Sequence, residues 1–482
     1  MSSSIPAFAL ARPIRLFALV GAVALGCVNA GPTVPQPPSA ARVEALLDTL
    51  EDRTFAFFWE RGDARTGLVP DRWPTPSFSS IAAVGFGLTA YPIGVERGLV
   101  TRSEAAERVL NTLRFFYQLP QGPTAAGIGG YHGFFYHFLD MSAGLRYQTV
   151  ELSTIDTALL LAGVLFCQQY FDGSGDIESG VRAYADSLYR RTDWSWAQAR
   201  APLIAMGWTP ESGFHALDWR GYNEAMLVYL LALGSPTHPI GTDAWSAWTA
   251  TYTWGQYYGQ SYVGFAPLFG HQYTATWVDF RGIADPYMRS HGIDYFENGR
   301  RATLAQRGYA TANPAGWVGY GTDVWGLSAS DGPADVTLPV NGTSRRFFSY
   351  AARGAAYTEV RDDGTITPTA AGGSIAFAPE IVGPALVAMR ERYGDDLFNR
   401  YGYVDAFNPT WKWTSPAAAH GRVVAGKGWF DVDYLGIDQG PILAMIANHR
   451  SELVWKYMRR SPYIVQGLRR AGFQGGWLDQ AP

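Results

Sequence analysis

The feature that most constrains this chain is an alternation between two kinds of helical pattern. Ser79–Ile93, Ser153–Tyr170, Tyr222–Leu233, His271–Phe280, Pro379–Arg392 and Asp438–Asn448 are apolar nearly all round or begin so. Between and around them, Val43–Arg61, Thr101–Tyr117, Asp176–Arg191, Asp243–Tyr257 and Asp285–Gln306 carry charges on one side. A helix apolar on every face must be buried on every side, whereas one with a polar face can sit outside. Short turns make successive helices antiparallel, so every second helix points the same way. The expected architecture is therefore all-α: an (α/α)6 barrel, with six parallel inner helices ringed by outer ones. Residues 118–150 and 308–378 break the pattern with Gly, aromatics and turn residues. They are expected to be long loops, with a small hairpin insertion whose solvated turn falls in Val360–Ile366.

Composition excludes several other classes. Of 482 residues, 47% are hydrophobic and 17% charged, so the chain can bury a large core and is not disordered. The net charge of −4 gives no electrostatic case for nucleic acid. Two cysteines cannot make a disulfide framework, and no other segment looks transmembrane.

The N-terminus has the form of an export signal over residues 1–30. Arg12 and Arg15 precede an apolar run from Leu16 to Gly26 that is too short to span a bilayer. Ala24-Leu25-Gly26-Cys27 resembles a bacterial lipobox, which would lipidate Cys27. Ordinary cleavage after Ala30 is the alternative. Residues 31–40 hold four prolines and are expected to form an extended tether. A single domain, 41–482, is expected to follow. Membrane association is expected only through the lipid.

In the expected barrel the N-termini of the inner helices open on one face. The acidic groups there are Glu151 and Asp156 at the second inner helix, Glu224 at the third, Glu380 at the fifth, and Asp431, Asp433 and Asp438 at the sixth. Helix N-termini favour carboxylates by capping and by the dipole, which alone would place any one of them there. Their company argues for more. Tyr222 and Asn223 adjoin Glu224; Tyr434 and Gln439 flank Asp438; Trp219, Trp317, Tyr320, Trp325 and Trp429 lie in loops aimed at the same face, as do His132 and Asp331. Aromatic faces beside carboxylates suit the C–H faces and hydroxyls of a sugar. Glycoside hydrolysis needs a protonated carboxyl near the leaving oxygen and a second carboxylate as base or nucleophile. Glu224, entering an apolar run, is the one expected to be desolvated. The eight histidines include no metal-ligand spacing, and no cofactor fingerprint stands in a fitting context, so neither metal nor cofactor is expected.

Five segments carry a resemblance. They are FSSIAAVGFGLTAY (78–91), GFFYHFLD (133–140), ELSTIDTA (151–158), WGLSASDGP (325–333) and YLGIDQGPI (434–442). Together they resemble the bacterial glycoamylase-like family, which includes endo-β-1,2-glucanases, over roughly residues 43–460. The resemblance implies an (α/α)6 barrel and activity on a glucan, with β-1,2-linked substrate expected ahead of an α-glucan. It implies Glu224 as acid, Asp438 or Asp433 as base, and Glu151 and Asp156 as further acidic groups of the cleft. Inversion is the expected outcome at the anomeric carbon. A non-catalytic glucan-binding surface lipoprotein and a polysaccharide lyase are the alternatives. No Arg/Lys cluster of the kind a lyase needs for uronates marks the cleft.

Overall fold

The computed structural model describes residues 38–481. The expected export signal, Cys27 and most of the tether lie outside them. Ser39 caps the first helix through its side chain, so helix begins at Ala40, inside the expected tether.

The protein is predominantly helical. In chain order the helices are α1 (Ala40–Arg61), α2 (Ile81–Glu96), α3 (Arg102–Gln118), α4 (Thr154–Tyr170) and α5 (Asp176–Arg190). Then come α6 (Met226–Gly234), α7 (Asp243–Thr249), α8 (Phe269–Trp277), α9 (Pro286–His291) and α10 (Tyr295–Ala312). The last are α11 (Pro368–Gly372), α12 (Pro379–Tyr393), α13 (Gly436–Ser451), α14 (Leu453–Met458) and α15 (Pro462–Arg470). The described strands are two to five residues long.

The apolar-all-round stretches are the interior. Helices α2, α4, α6, α8, α11 and α13 are buried along nearly their whole length. Helix α2 packs on α4 and α13, α4 on α6, α13 on α8 and α11. Glycine lets the first pair approach to backbone contact. A Cβ on Gly163 would stand 2.1 Å from the Gly85 carbonyl oxygen, and one on Gly85 2.3 Å from that of Leu159. The one-sided helices lie against this set: α3 on α2, α5 on α4, α1 on α2 and α13, α15 on α6. Helix α3 opens with the full capping box that Thr101 and Glu104 announce.

Three expectations need correction. Pro379–Arg392 is not an inner helix: α12 buries one side, and Glu380 in its first turn ion-pairs with Arg300 at the surface. The fully buried element there is α11, too short and too rich in Thr, Ala and Gly to show a helical period. Asp243–Tyr257 is helical only to Thr249; Trp254–Tyr257 then pairs with Gln260–Val263 around a Tyr258-Gly259 turn with positive φ at both residues. Asp285–Gln306 is broken where Gly292 takes a left-handed conformation.

The expected hairpin is displaced. Val336–Val340 pairs with Thr343–Phe347 around Asn341-Gly342, the residue pair that this turn prefers. The turn after Val360 is not solvated. Asp363 is wholly buried and ion-pairs with the equally buried Arg353 at 2.7 Å. Asp362 accepts from Tyr309, Trp317 and Tyr320.

Candidate active site

Two-residue strands tie the starts of the inner helices into one rim. Ser79–Ser80, leading into α2, pairs with Phe138–Leu139. Leu152–Ser153, leading into α4, pairs with Gly207–Trp208. Tyr434–Leu435, leading into α13, pairs with Arg72–Trp73. Ser80 and Ser153 then cap their helices with their own hydroxyls. The acidic groups sit on or beside these short strands, so residues far apart in sequence meet.

On one side of the rim, His137 bridges two carboxylates. Its Nδ1 lies 2.9 Å from Glu151 Oε1 and its Nε2 3.5 Å from Asp156 Oδ1. Ser153 donates to the other Asp156 oxygen at 2.5 Å. Burial works against the charged imidazolium, but Asp156 and then Glu151 outweigh it and push the His137 pKa up to about 9. Burial likewise works to raise Glu151, but the hydrogen bond and charge of His137 leave its pKa lowered.

Glu224 lies in the turn before α6. Asn223 fixes that turn, accepting from the Ala225 N–H at 3.0 Å and donating to the Arg220 carbonyl at 3.0 Å. Glu224 Oε2 is buried and accepts no hydrogen bond from the protein. Burial pushes the Glu224 pKa up to about 7; its own backbone N–H opposes this, and the charge of Asp156 adds to it. Tyr273 lies within electrostatic reach of Asp438, Glu224 and Asp156.

Asp438 projects from the first turn of α13, and its peptide carbonyl accepts from the Thr369 hydroxyl. Burial raises its pKa to about 7; a hydrogen bond with Asp405 and the charge of Arg72 oppose the rise, while Asp331 and Asp71 add to it. Asp405 is also raised, first by burial and then by the charge of Asp438 and a hydrogen bond with it. Its Oδ2 accepts from the Asp331 N–H at 2.7 Å. Arg72 pairs with Asp331 and, at 3.2 Å, with Asp71. Asp433 accepts from the Thr75 N–H at 2.8 Å. The exposed Tyr350, paired in register with Asp331, stands near these acids at the surface.

The structure thus brings together Glu151, Asp156, Glu224, Asp331, Asp433 and Asp438. It commits most of the expected sugar-binding residues elsewhere. Trp317 and Tyr320 donate to Asp362. Trp429 is wholly buried with its Nε1 on the His420 carbonyl, and Trp325 is wholly buried in the core. Trp219 donates to Thr154, Tyr434 bonds Asn399 beneath Trp73, and Gln439 donates to the Tyr403 carbonyl. Tyr222 stacks on Tyr295 and packs on His271. His132 stacks on Trp196 and faces Asp193. Trp219, Tyr222, Trp317, Trp325, Trp429 and Tyr434 are buried, while His132 and Tyr320 remain part-exposed. The sequence reading missed His137, Asp71, Arg72, Asp405 and Tyr350. His137 lies inside a motif that carried the resemblance; the others adjoin no recognisable helix start.

Comparison with known proteins follows the same lines. A family model described as "Putative glucoamylase" matches residues 216–462. A curated relative, the exo β-1,2-glucooligosaccharide sophorohydrolase (non-reducing end) of Parabacteroides distasonis, is 28% identical over 466 aligned residues. That match covers 89% of this chain and 58% of the relative, so the chain spans well under two thirds of that protein. Among solved structures, a "putative glucoamylase" from Bacteroides uniformis superposes with a TM-score of 0.76 at 30% identity, covering 92% of this chain and all of that one. An endo-β-1,2-glucanase from Chitinophaga pinensis, in complex with sophorotriose and glucose, gives 0.76 at 27% identity over 90% of this chain and 99% of that one.

Proposed function

We propose, from the premise that this chain belongs to the glycoamylase family, that it is a glycoside hydrolase acting on β-1,2-glucan. The named activities of the Parabacteroides and Chitinophaga relatives support that linkage. The packing of six buried helices inside one-sided ones supports an (α/α)6 barrel as the architecture.

One observation carries the chemical reading. Glu224 holds a carboxyl with an unpartnered oxygen, kept protonated up to about pH 7, and lies within electrostatic reach of the same Tyr273 as Asp438. In this reading Glu224 gives its proton to the glycosidic oxygen, directly or through a substrate hydroxyl, as the bond from that oxygen to the anomeric carbon breaks. Asp438 takes a proton from the water whose oxygen bonds that carbon. Each product gains one hydroxyl, and the two carboxyls exchange protons with solvent to reset. Attack by water on the opposite face gives inversion. Glu151 and Asp156, held by His137, and Asp433 complete the acidic lining, and Tyr350 offers an exposed ring.

Reducing-sugar release from β-1,2-glucan and from starch tests the substrate. Wild type is expected to act on the first. Release from starch alone would transfer the assignment to α-glucan, and binding without release from either would make the chain a glucan-capturing protein. Glu224→Gln is expected to lower kcat by about 10²–10⁴-fold with an unchanged circular dichroism spectrum. Full activity in that variant would remove Glu224 from the acid role. The same reading has the chain exported, with Cys27 either lipidated or cleaved away. Palmitate labelling of wild type but not of Cys27→Ser is the result expected for the lipoprotein.

A further inference from the structure

We propose that Asp331, Asp405 and Asp431 hold a hard divalent cation, Ca²⁺ by preference, between the loops behind Asp438. Three separate segments supply the groups: the end of the Ala329–Asp331 strand, the turn before Phe407–Asn408, and the residue after Gly428–Phe430. Backbone bonds fix all three. The Asp405 N–H donates to the Asp433 carbonyl at 2.9 Å, that of Asp431 to the Ala406 carbonyl at 2.9 Å, and that of Asp331 to Asp405 at 2.7 Å. Each carboxylate presents an oxygen, and the three oxygens lie within 4.8 Å of one another. Ligands on opposite sides of a Ca²⁺ ion, each about 2.3–2.6 Å from it, stand about 5 Å apart, so one ion can touch all three.

A second observation lies outside the trio. Asp438, from a different element, is 4% exposed, and its buried Oδ2 accepts from no N–H or hydroxyl of the protein. It is aimed at Asp405, within hydrogen-bonding reach of it. Asp433, 1% exposed, leaves its own Oδ2 equally unpartnered beside Asp431. Within the trio, Asp405 Oδ1 and Asp431 Oδ2 are also buried without a donor. Buried carboxylates are normally paired or bound to metal. The guanidiniums nearby are committed: Arg72 to Asp331 and Asp71, Arg353 to Asp363. A proton between Asp405 and Asp438 satisfies that pair but leaves the Oδ2 atoms of Asp431 and Asp433 without a partner. A cation satisfies all of them and pins three loops to the start of α13.

The test reads metal and not hydrolysis, so it stands apart from the glucan assignment. The full chain is stripped with EDTA, dialysed, and titrated with CaCl2 by calorimetry and thermal melting. About one Ca²⁺ per chain is expected, with Tm raised by about 3–5 °C at a hundredfold excess over Kd. Asp431→Asn and Asp405→Asn are each expected to lose that rise while keeping the wild-type spectrum. Equal melting of the stripped wild type with and without Ca²⁺, Mg²⁺ or Mn²⁺ overturns the proposal, as does an undiminished rise in both variants. Where neither variant folds, a Tb³⁺ anomalous peak in wild-type crystals decides it. A peak among the three carboxylates supports the site, and its absence there overturns it.

Discussion

Asp156 and Glu224 stand at the starts of neighbouring buried helices, and their surroundings give them different chemistry. Asp156 has Ser153 on one oxygen and His137 near the other, so its charge is met. Glu224 is desolvated by burial, has an oxygen with no donor and feels the charge of Asp156, which together push its pKa up to about 7. An acid that must be protonated loses function as pH rises. The kcat/KM of wild type on β-1,2-glucan is therefore expected to fall about tenfold per pH unit above about 7. A profile flat to pH 9 would show that Glu224 is not the acid. His137 gives a matching prediction for stability. Its folded pKa, about 9, lies above its ordinary 6.5, so its contribution is complete below pH 6.5 and is lost as pH rises through 9. The shift corresponds to at most about 3 kcal/mol. Wild-type Tm is expected to decline across that window, and His137→Gln to flatten the decline; an equal slope in both proteins would assign it to other groups.

At the scale of elements, close helix packing and short strands do different work. The glycines of α2 and α4 let two fully apolar helices touch backbone to backbone, which no larger residue permits. Gly163→Ala is expected to cost about 1–3 kcal/mol, because its methyl would meet a carbonyl oxygen rather than a movable side chain. Chemical denaturation measures it, and a change below 0.5 kcal/mol (roughly the scatter for surface sites) would show that the two helices can part freely. The two-residue ladders add little burial of their own. They set where helices begin, and through that where Glu151, Asp156 and Asp438 point. The Arg353–Asp363 pair performs a similar service for the long loop. Asp363→Ala would leave a buried guanidinium unpaired and is expected to destabilise by about 3–5 kcal/mol, read as a fall in the denaturation midpoint. A loss under 1 kcal/mol would mean that the loop can open to solvate Arg353.

For the whole molecule, what could be read from sequence was whatever a local period encodes. A helix apolar on every face has nowhere to go but the interior, so α2, α4, α6, α8 and α13 were legible from composition by position. Capping chemistry was legible at α3 for the same local reason. Helix α11 was not, because five residues hold less than two turns and no period. The acidic groups at helix starts were legible because capping and catalysis draw the same residue types to the same place. Asp71, Arg72 and Asp405 were not marked as site residues, since each lies on a strand or turn that exists only through a partner far along the chain. The tryptophans misled for the opposite reason. A large amphipathic ring suits a sugar cleft and a loop core equally, and only the packed structure shows that Trp325 and Trp429 face inward. The sequence by itself therefore determined the kinds of element and the chemical stock at their ends, because periodicity and capping act within a few residues. Tertiary structure alone decided which carboxyls share a proton, meet a cation or stand unpartnered, because burial and charge act across space and take no account of order along the chain.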